Sequence, residues 1–186
     1  MATQVASPVA SPYRFSVEDV LAMVEAGILD DKARVELIDG VLVEMSPTGS
    51  RHEEIVEWLT AHFVPAVGEA LRVRVQATLL TPSGGFFEPD VFVIERMPRG
   101  SGLPAKAVLV VEVSNTSLRH DHWKASTYAV AGIPDYWIVD VNRDEVLVHR
   151  EPRDGVYTSV ERFALGASIA PLIDVPPVDV SALLAR

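Results

Sequence analysis

The segment Ala107–Val113, AVLVVEV, constrains this chain more than any other. A nearly continuous apolar run of that length, rich in valine, reads as a β-strand covered on both faces. Such a strand needs a layer on each side, which points to a mixed α/β or α+β domain built around one sheet. Within the run stands Glu112. A carboxylate in a buried strand is costly unless it is paired or binds a metal. The plain alternative is a carboxylate at a strand end that reaches solvent or a buried arginine.

The surrounding pattern supplies the other layers. Ser16 with Asp19 forms a helix N-cap pattern, Val17, Val20, Leu21 and Val24 follow at helical spacing, and Gly27 ends the run. Asp39-Gly40 between Arg34–Ile38 and Val41–Met45 predicts a tight hairpin. Ser50 with Glu53 resembles a second capping box, and the helix that follows meets Pro65. From Leu71 to Leu79 the period is two, as in a half-buried strand. Thr81–Phe87 reads as a turn, Asp90–Glu95 as a strand and residues 96–106 as a loop. A helix is expected from about 118 to Ala131, closed by Gly132 and Pro134. Strands at Tyr136–Asp140, Glu145–Arg150 and Val156–Phe163 follow, then a short helix from about Val178. Residues 1–12 read as a flexible tail and 13–186 as a single domain.

Composition narrows the class. With no cysteine among 186 residues, disulfides, Fe–S clusters and thiolate zinc sites are excluded, and a reducing cytoplasm is the expected setting. No signal peptide or membrane span is evident, since no apolar run approaches the roughly 20 residues a spanning helix needs. The net charge of −10 argues against gripping nucleic acid by bulk charge. It is unevenly spread: residues 1–57 carry −7, residues 134–186 carry −4, and residues 58–133 carry +1. Arg72, Arg74, Arg96, Arg99 and Lys106 lie in that middle segment and are candidates for phosphate contact.

Four charged residues stand where core-building rules would not put them: Glu36, Asp90, Glu112 and Lys124. Singly, Glu36 suits an edge-strand surface, Asp90 a turn after Pro89, and Lys124 an exposed helix face. Together they suggest more. Asp90 and Glu112 lie on consecutive strands, and the Glu112 strand feeds the helix that carries Asp121, Lys124 and Tyr128 on one face. Two carboxylates and an amine at one point suit phosphodiester hydrolysis. The carboxylates hold Mg²⁺, and the amine orients water or stabilises the transition-state oxygens.

Other motifs are weaker. His120 and His122 diverge on a helix and make a poor metal pair, while His62 and His149 have no partner pattern. Ser114 lacks a G-x-S-x-G elbow, so helix capping by Ser114 or Ser117 explains it better. There is no phosphate-binding glycine loop. Trp123, Trp137 and Phe163 suit a core better than a base-stacking platform.

The strings Glu36-Leu-Ile-Asp-Gly40, His52, Glu88-Pro-Asp90-Val, Val110-Val-Glu112-Val-Ser114, Asp121, Lys124, Tyr128 and Gly132-Ile-Pro-Asp-Tyr-Trp-Ile-Val-Asp140 occur in that order. With them, residues from Tyr13 to about Leu184 resemble the Uma2 family of endonucleases, within the PD-(D/E)XK superfamily. The resemblance implies a restriction-endonuclease-like core with an added N-terminal helix and hairpin. It implies a Mg²⁺-dependent deoxyribonuclease, with Mn²⁺ as substitute. Asp90, Glu112, the Val113 carbonyl and Glu36 would be metal ligands, with Lys124, His52 and Tyr128 as further site residues. It also implies a homodimer, for which the C-terminal strands could supply the interface, while the charge balance predicts weak, metal-dependent DNA binding. Ser114 stands where the superfamily's usual lysine falls, so the basic role moves to Lys124. That substitution keeps open a non-catalytic nuclease-like binding or assembly module. A third possibility is a different metal hydrolase using Glu36, His52, Asp90 and Glu112, where histidine ligation would favour Mn²⁺ or Zn²⁺.

Overall fold

The computed structural model describes residues 12–45, 47–114 and 118–185, with the side chains of 118–122 outside the description. The expected tail (except Pro12), the proposed Ser117 cap, and the side chains of Asp121, His120 and His122 therefore lie outside the described residues.

Helix α1 (Val17–Glu25) starts as its sequence dictates, with a reciprocal capping box between Ser16 and Asp19. Strands β1 (Val35–Ile38) and β2 (Val41–Glu44) form the expected hairpin. Asp39 and Gly40 both have positive φ there, at 49° and 75°. Gly40 is required twice over, because a Cβ would come within 2.6 Å of Arg14 Cβ. Helix α2 (Ser50–Phe63) differs at its start: Gly49 is the N-cap and makes no side-chain cap, so Ser50 lies inside the helix. The helix stops before Pro65, whose ring cannot continue the ladder.

The long alternating segment divides. Strand β3 (Leu71–Val75) ends at Gln76, whose φ of 43° breaks the extended run. Strands β4 (Leu79–Leu80) and β5 (Phe86–Phe87) then join the hairpin in a four-stranded sheet of order β2-β1-β5-β4. The expected turn at Thr81–Phe87 thus contains a short strand. At Gly85 a Cβ would meet the Leu37 carbonyl oxygen at 2.0 Å, so only glycine permits this approach of β5 to β1.

The larger sheet has the order β10-β9-β8-β7-β6-β3, with β6 at Val91–Glu95 and β7 at Leu109–Ser114. Helix α3 (Leu118–Val130) crosses from β7 to β8 (Asp135–Asp140), the one parallel pair among otherwise antiparallel neighbours. Strands β9 (Glu145–Arg153) and β10 (Val156–Ala164) form a long hairpin. A two-stranded sheet, β11 (Ser168–Ile169) with β12 (Val178–Asp179), leads to α4 (Val180–Leu183).

Strand alternation sorts the core into two layers. Val91, Val93, Val111 and Val113 pack with Ile55, Leu59 and Phe63 of α2. Phe92, Ile94, Val110 and Ile138 pack with Tyr128 of α3. All six residues of β7 are buried, as its apolar sequence demands. No helix among the described residues is long and apolar enough to cross a membrane.

Candidate active site

The sheet register brings the charged residues together. Val91 pairs with Val111, so Asp90, one residue before β6, comes level with Glu112 on the neighbouring strand. Glu112 shares its strand face with Val110 and therefore looks toward α3. There Lys124 donates to Glu112 Oε1 at 3.1 Å and to Glu36 Oε1 at 2.7 Å. The Tyr128 hydroxyl donates to the same Glu112 oxygen at 2.8 Å. All four residues are buried, none more than 4% exposed.

Two of these placements reverse the single-residue expectations. Lys124 is an interior lysine, held by two carboxylates and by the face of Phe87, 5.1 Å from its ammonium. Glu36 is no edge residue, because β1 lies between β2 and β5. Its Oε1 also accepts the Glu88 backbone N–H at 3.1 Å, which ties the hairpin to the entrance of β6.

Asp90 belongs to the other half of the site. Its Oδ2 accepts the Val113 N–H at 2.8 Å and lies 3.0 Å from His52 Nε2. His52, in the first turn of α2, thus fixes the orientation of Asp90 from the opposite face of the sheet. Two buried polar atoms nearby, His52 Nδ1 and Ser114 Oγ, have no hydrogen-bond partner among the described residues. Ser114 is the last residue of β7 rather than a helix cap.

Electrostatics follow from this packing. Burial, then the charge of Glu112, raise the Tyr128 phenol well above its ordinary pKa, so it stays a donor. Burial and the neighbouring Glu36 also raise Glu88, against the lowering influence of Arg34 and Lys124.

The donor set is carboxylate oxygen, which suits Mg²⁺ or Mn²⁺. The Lys124 ammonium between Glu36 and Glu112 marks a place already shaped to balance positive charge. In this arrangement no three His, Asp or Glu side chains among the described residues form a metal cage. That is compatible with Mg²⁺, which keeps several waters and takes one or two protein carboxylates.

The remaining candidates separate. His62 bonds the Pro176 carbonyl and stacks on Trp58, while His149 is buried between Tyr136 and Tyr157, so neither approaches the site. Trp137 is a core residue, and Phe163 packs half-buried against the same core. Trp123 departs from expectation: it is 41% exposed, edge-on to Phe87. The basic residues also divide. Arg74 lies near the site end of β3, over Phe92, whereas Arg96 follows the far end of β6, roughly 20 Å from Asp90 at about 3.3 Å per residue.

Sequence reading missed Phe87, which touches Lys124, Trp123 and Tyr128 at once. The Phe86-Phe87 pair directly before Glu88-Pro89-Asp90 was the available signal.

Comparison with known proteins agrees with this architecture. The family model Uma2, described as "Putative restriction endonuclease", matches residues 17–180. A solved structure described as a "putative nuclease belonging to DUF820" from Anabaena variabilis ATCC 29413 superposes with a TM-score of 0.75 at 16% identity. The match covers 92% of this chain and 98% of that one. No curated protein matches the chain.

Proposed function

The chain belongs to the Uma2 family, whose model spans most of its length, and from that premise we propose that it is a metal-dependent endonuclease hydrolysing DNA phosphodiester bonds. The family and the restriction-endonuclease-like fold support a nuclease. The observation that carries the finer reading is the convergence of Glu36, Glu112, Lys124 and Tyr128 at the sheet position level with Asp90.

In this reading Asp90 and Glu112 would hold Mg²⁺ with the Val113 carbonyl, while Glu36, expected as a further donor, is engaged by Lys124 and the Glu88 N–H. The ion, when bound, would lower the pKa of a coordinated water and offset charge at phosphorus. The protein does the positioning. His52 and the Val113 N–H hold Asp90, and Tyr128 holds Glu112. Lys124 places its ammonium where a water or a phosphoryl oxygen would approach. DNA is bound weakly and with metal present, and the chain acts as a homodimer.

The test is cleavage of varied DNA substrates with Mg²⁺ or Mn²⁺. Asp90→Ala and Glu112→Ala should each lower metal-dependent cleavage at least ~10³-fold with circular dichroism unchanged. Equal cleavage by wild type and both variants sinks the assignment. One observation favours a second reading, a nuclease-like binding module: Lys124 already satisfies both carboxylates in a buried site that lacks the usual lysine at Ser114. Calorimetry separates the two, since such a module gives the same Mg²⁺ heat before and after Asp90→Ala.

A further inference from the structure

Resting on the nuclease reading, we propose that Trp123 is a stacking platform for an unpaired base beside the scissile phosphate, so that the preferred substrate is single-stranded or locally unpaired DNA. Two aromatic side chains are exposed among the described residues. Tyr13 belongs to the α1 region, where its hydroxyl bonds Asp19. Trp123 stands one residue before Lys124 on α3, and both reach the same ring. The Trp123 and Phe87 centroids are 6.1 Å apart, and Lys124 Nζ is 5.1 Å from the Phe87 centroid. Phe87 therefore links an exposed indole to the buried ammonium of the site. An indole left 41% in solvent here adds nothing obvious to the core, yet it lies within one nucleotide's reach of the proposed chemistry.

The charge distribution points the same way. Arg96 lies beyond the far end of β6, and the Lys124 ammonium in the site is already shared by Glu36 and Glu112, which leaves it little charge to offer a duplex backbone. The groove on the α2 side, about 400 Å³ and bordered by Glu53 and Glu57, repels phosphate. A strand that gains little from its phosphates must gain from its bases, and stacking on tryptophan does so without reading sequence. A base can stack only when it is out of the duplex.

The experiment measures binding by fluorescence anisotropy with Ca²⁺ in place of Mg²⁺, using a labelled 12-nucleotide dT strand and the same strand annealed to dA. Trp123→Ala should weaken single-strand binding roughly five- to a hundredfold and leave duplex binding within about twofold. Trp123→Phe, which keeps a ring, should recover most of the loss. In a Trp58→Phe background, quenching of indole fluorescence by the dT strand should vanish with Trp123→Phe, because Trp137 is buried. An unchanged single-strand affinity in Trp123→Ala, or an equal loss for duplex, overturns the inference. Cleavage that depends on Asp90 but is indifferent to Trp123 overturns it while leaving the nuclease reading intact. Stacking without Asp90-dependent cleavage supports it and removes the nuclease reading instead.

Discussion

The molecule holds two assemblies of paired charges, one balanced and one rich in carboxylates, and they are built differently. At the β8–β9 edge, Asp135 meets Arg150 one to one. Its Oδ1 accepts from Trp137 Nε1 at 2.7 Å and Arg150 Nε at 2.8 Å. Its Oδ2 accepts from Arg150 Nη2 and from the Leu172 N–H at 2.9 Å. Arg150 reaches on to the Ala170 carbonyl, so this cluster pins the segment after β11 to the sheet. At the candidate site, the described side chains gather Glu36 and Glu112 on the single ammonium of Lys124, with Asp90 alongside, held by a His52 ring whose other nitrogen lacks a partner, as does the Ser114 hydroxyl. A closed one-to-one pair holds a fold together. A carboxylate-rich cluster with polar atoms to spare is the arrangement that the proposed divalent cation would need.

That contrast can be broken most sharply at the two carboxylates. Asp135→Ala should cost about 3–5 kcal/mol in urea unfolding, because it strands Arg150 and the Trp137 N–H in the interior. Glu112→Gln should cost less than about 1.5 kcal/mol, since the amide oxygen still accepts from Tyr128 and Lys124 keeps Glu36. Equal losses would make the site cluster ordinary scaffolding. Tyr128→Phe comes next. It removes a hydrogen bond to a charged acceptor and should cost about 1.5–3 kcal/mol, read from the same unfolding curves.

The smallest effect is pH-dependent and belongs to Glu88. Burial and Glu36 raise its pKa, so the folded state favours the neutral acid. Its stabilising contribution is full below the ordinary glutamate pKa and is lost as pH rises through the raised one. Glu88→Gln should therefore raise the unfolding free energy slightly at pH 7 to 8, by no more than about 0.5 kcal/mol for a half-exposed group, read as a small rise in melting temperature. The gain should disappear at acid pH. A gain that persists at acid pH means that packing, not charge, limits this position.

Much of the fold was legible because local chemistry and tertiary context agree. The Ser16–Asp19 box, the Asp39-Gly40 hairpin and the run at 107–113 all formed where their residues call for them. The failures fall where a partner decided. Gly49 displaced Ser50 as cap, and the positive φ of Gln76 split one alternating run between two sheets. Phe86-Phe87 became a strand only because β1 lay beside it and Gly85 let it approach.

The site divides along the same line. By itself the sequence determined that a carboxylate would stand in the most buried strand and that Asp90 would stand at the entrance of the strand before it. Period-two alternation and an apolar run require no more than the chain itself. It could not say that Lys124 is interior, that Glu36 sits across the sheet junction from it, or that Trp123 faces solvent. A lysine, a glutamate and a tryptophan each look alike on a core face and a surface face. Burial is a property of what packs against them, and the register of β6 on β7 and the seating of α3 on the sheet exist only once the chain has folded.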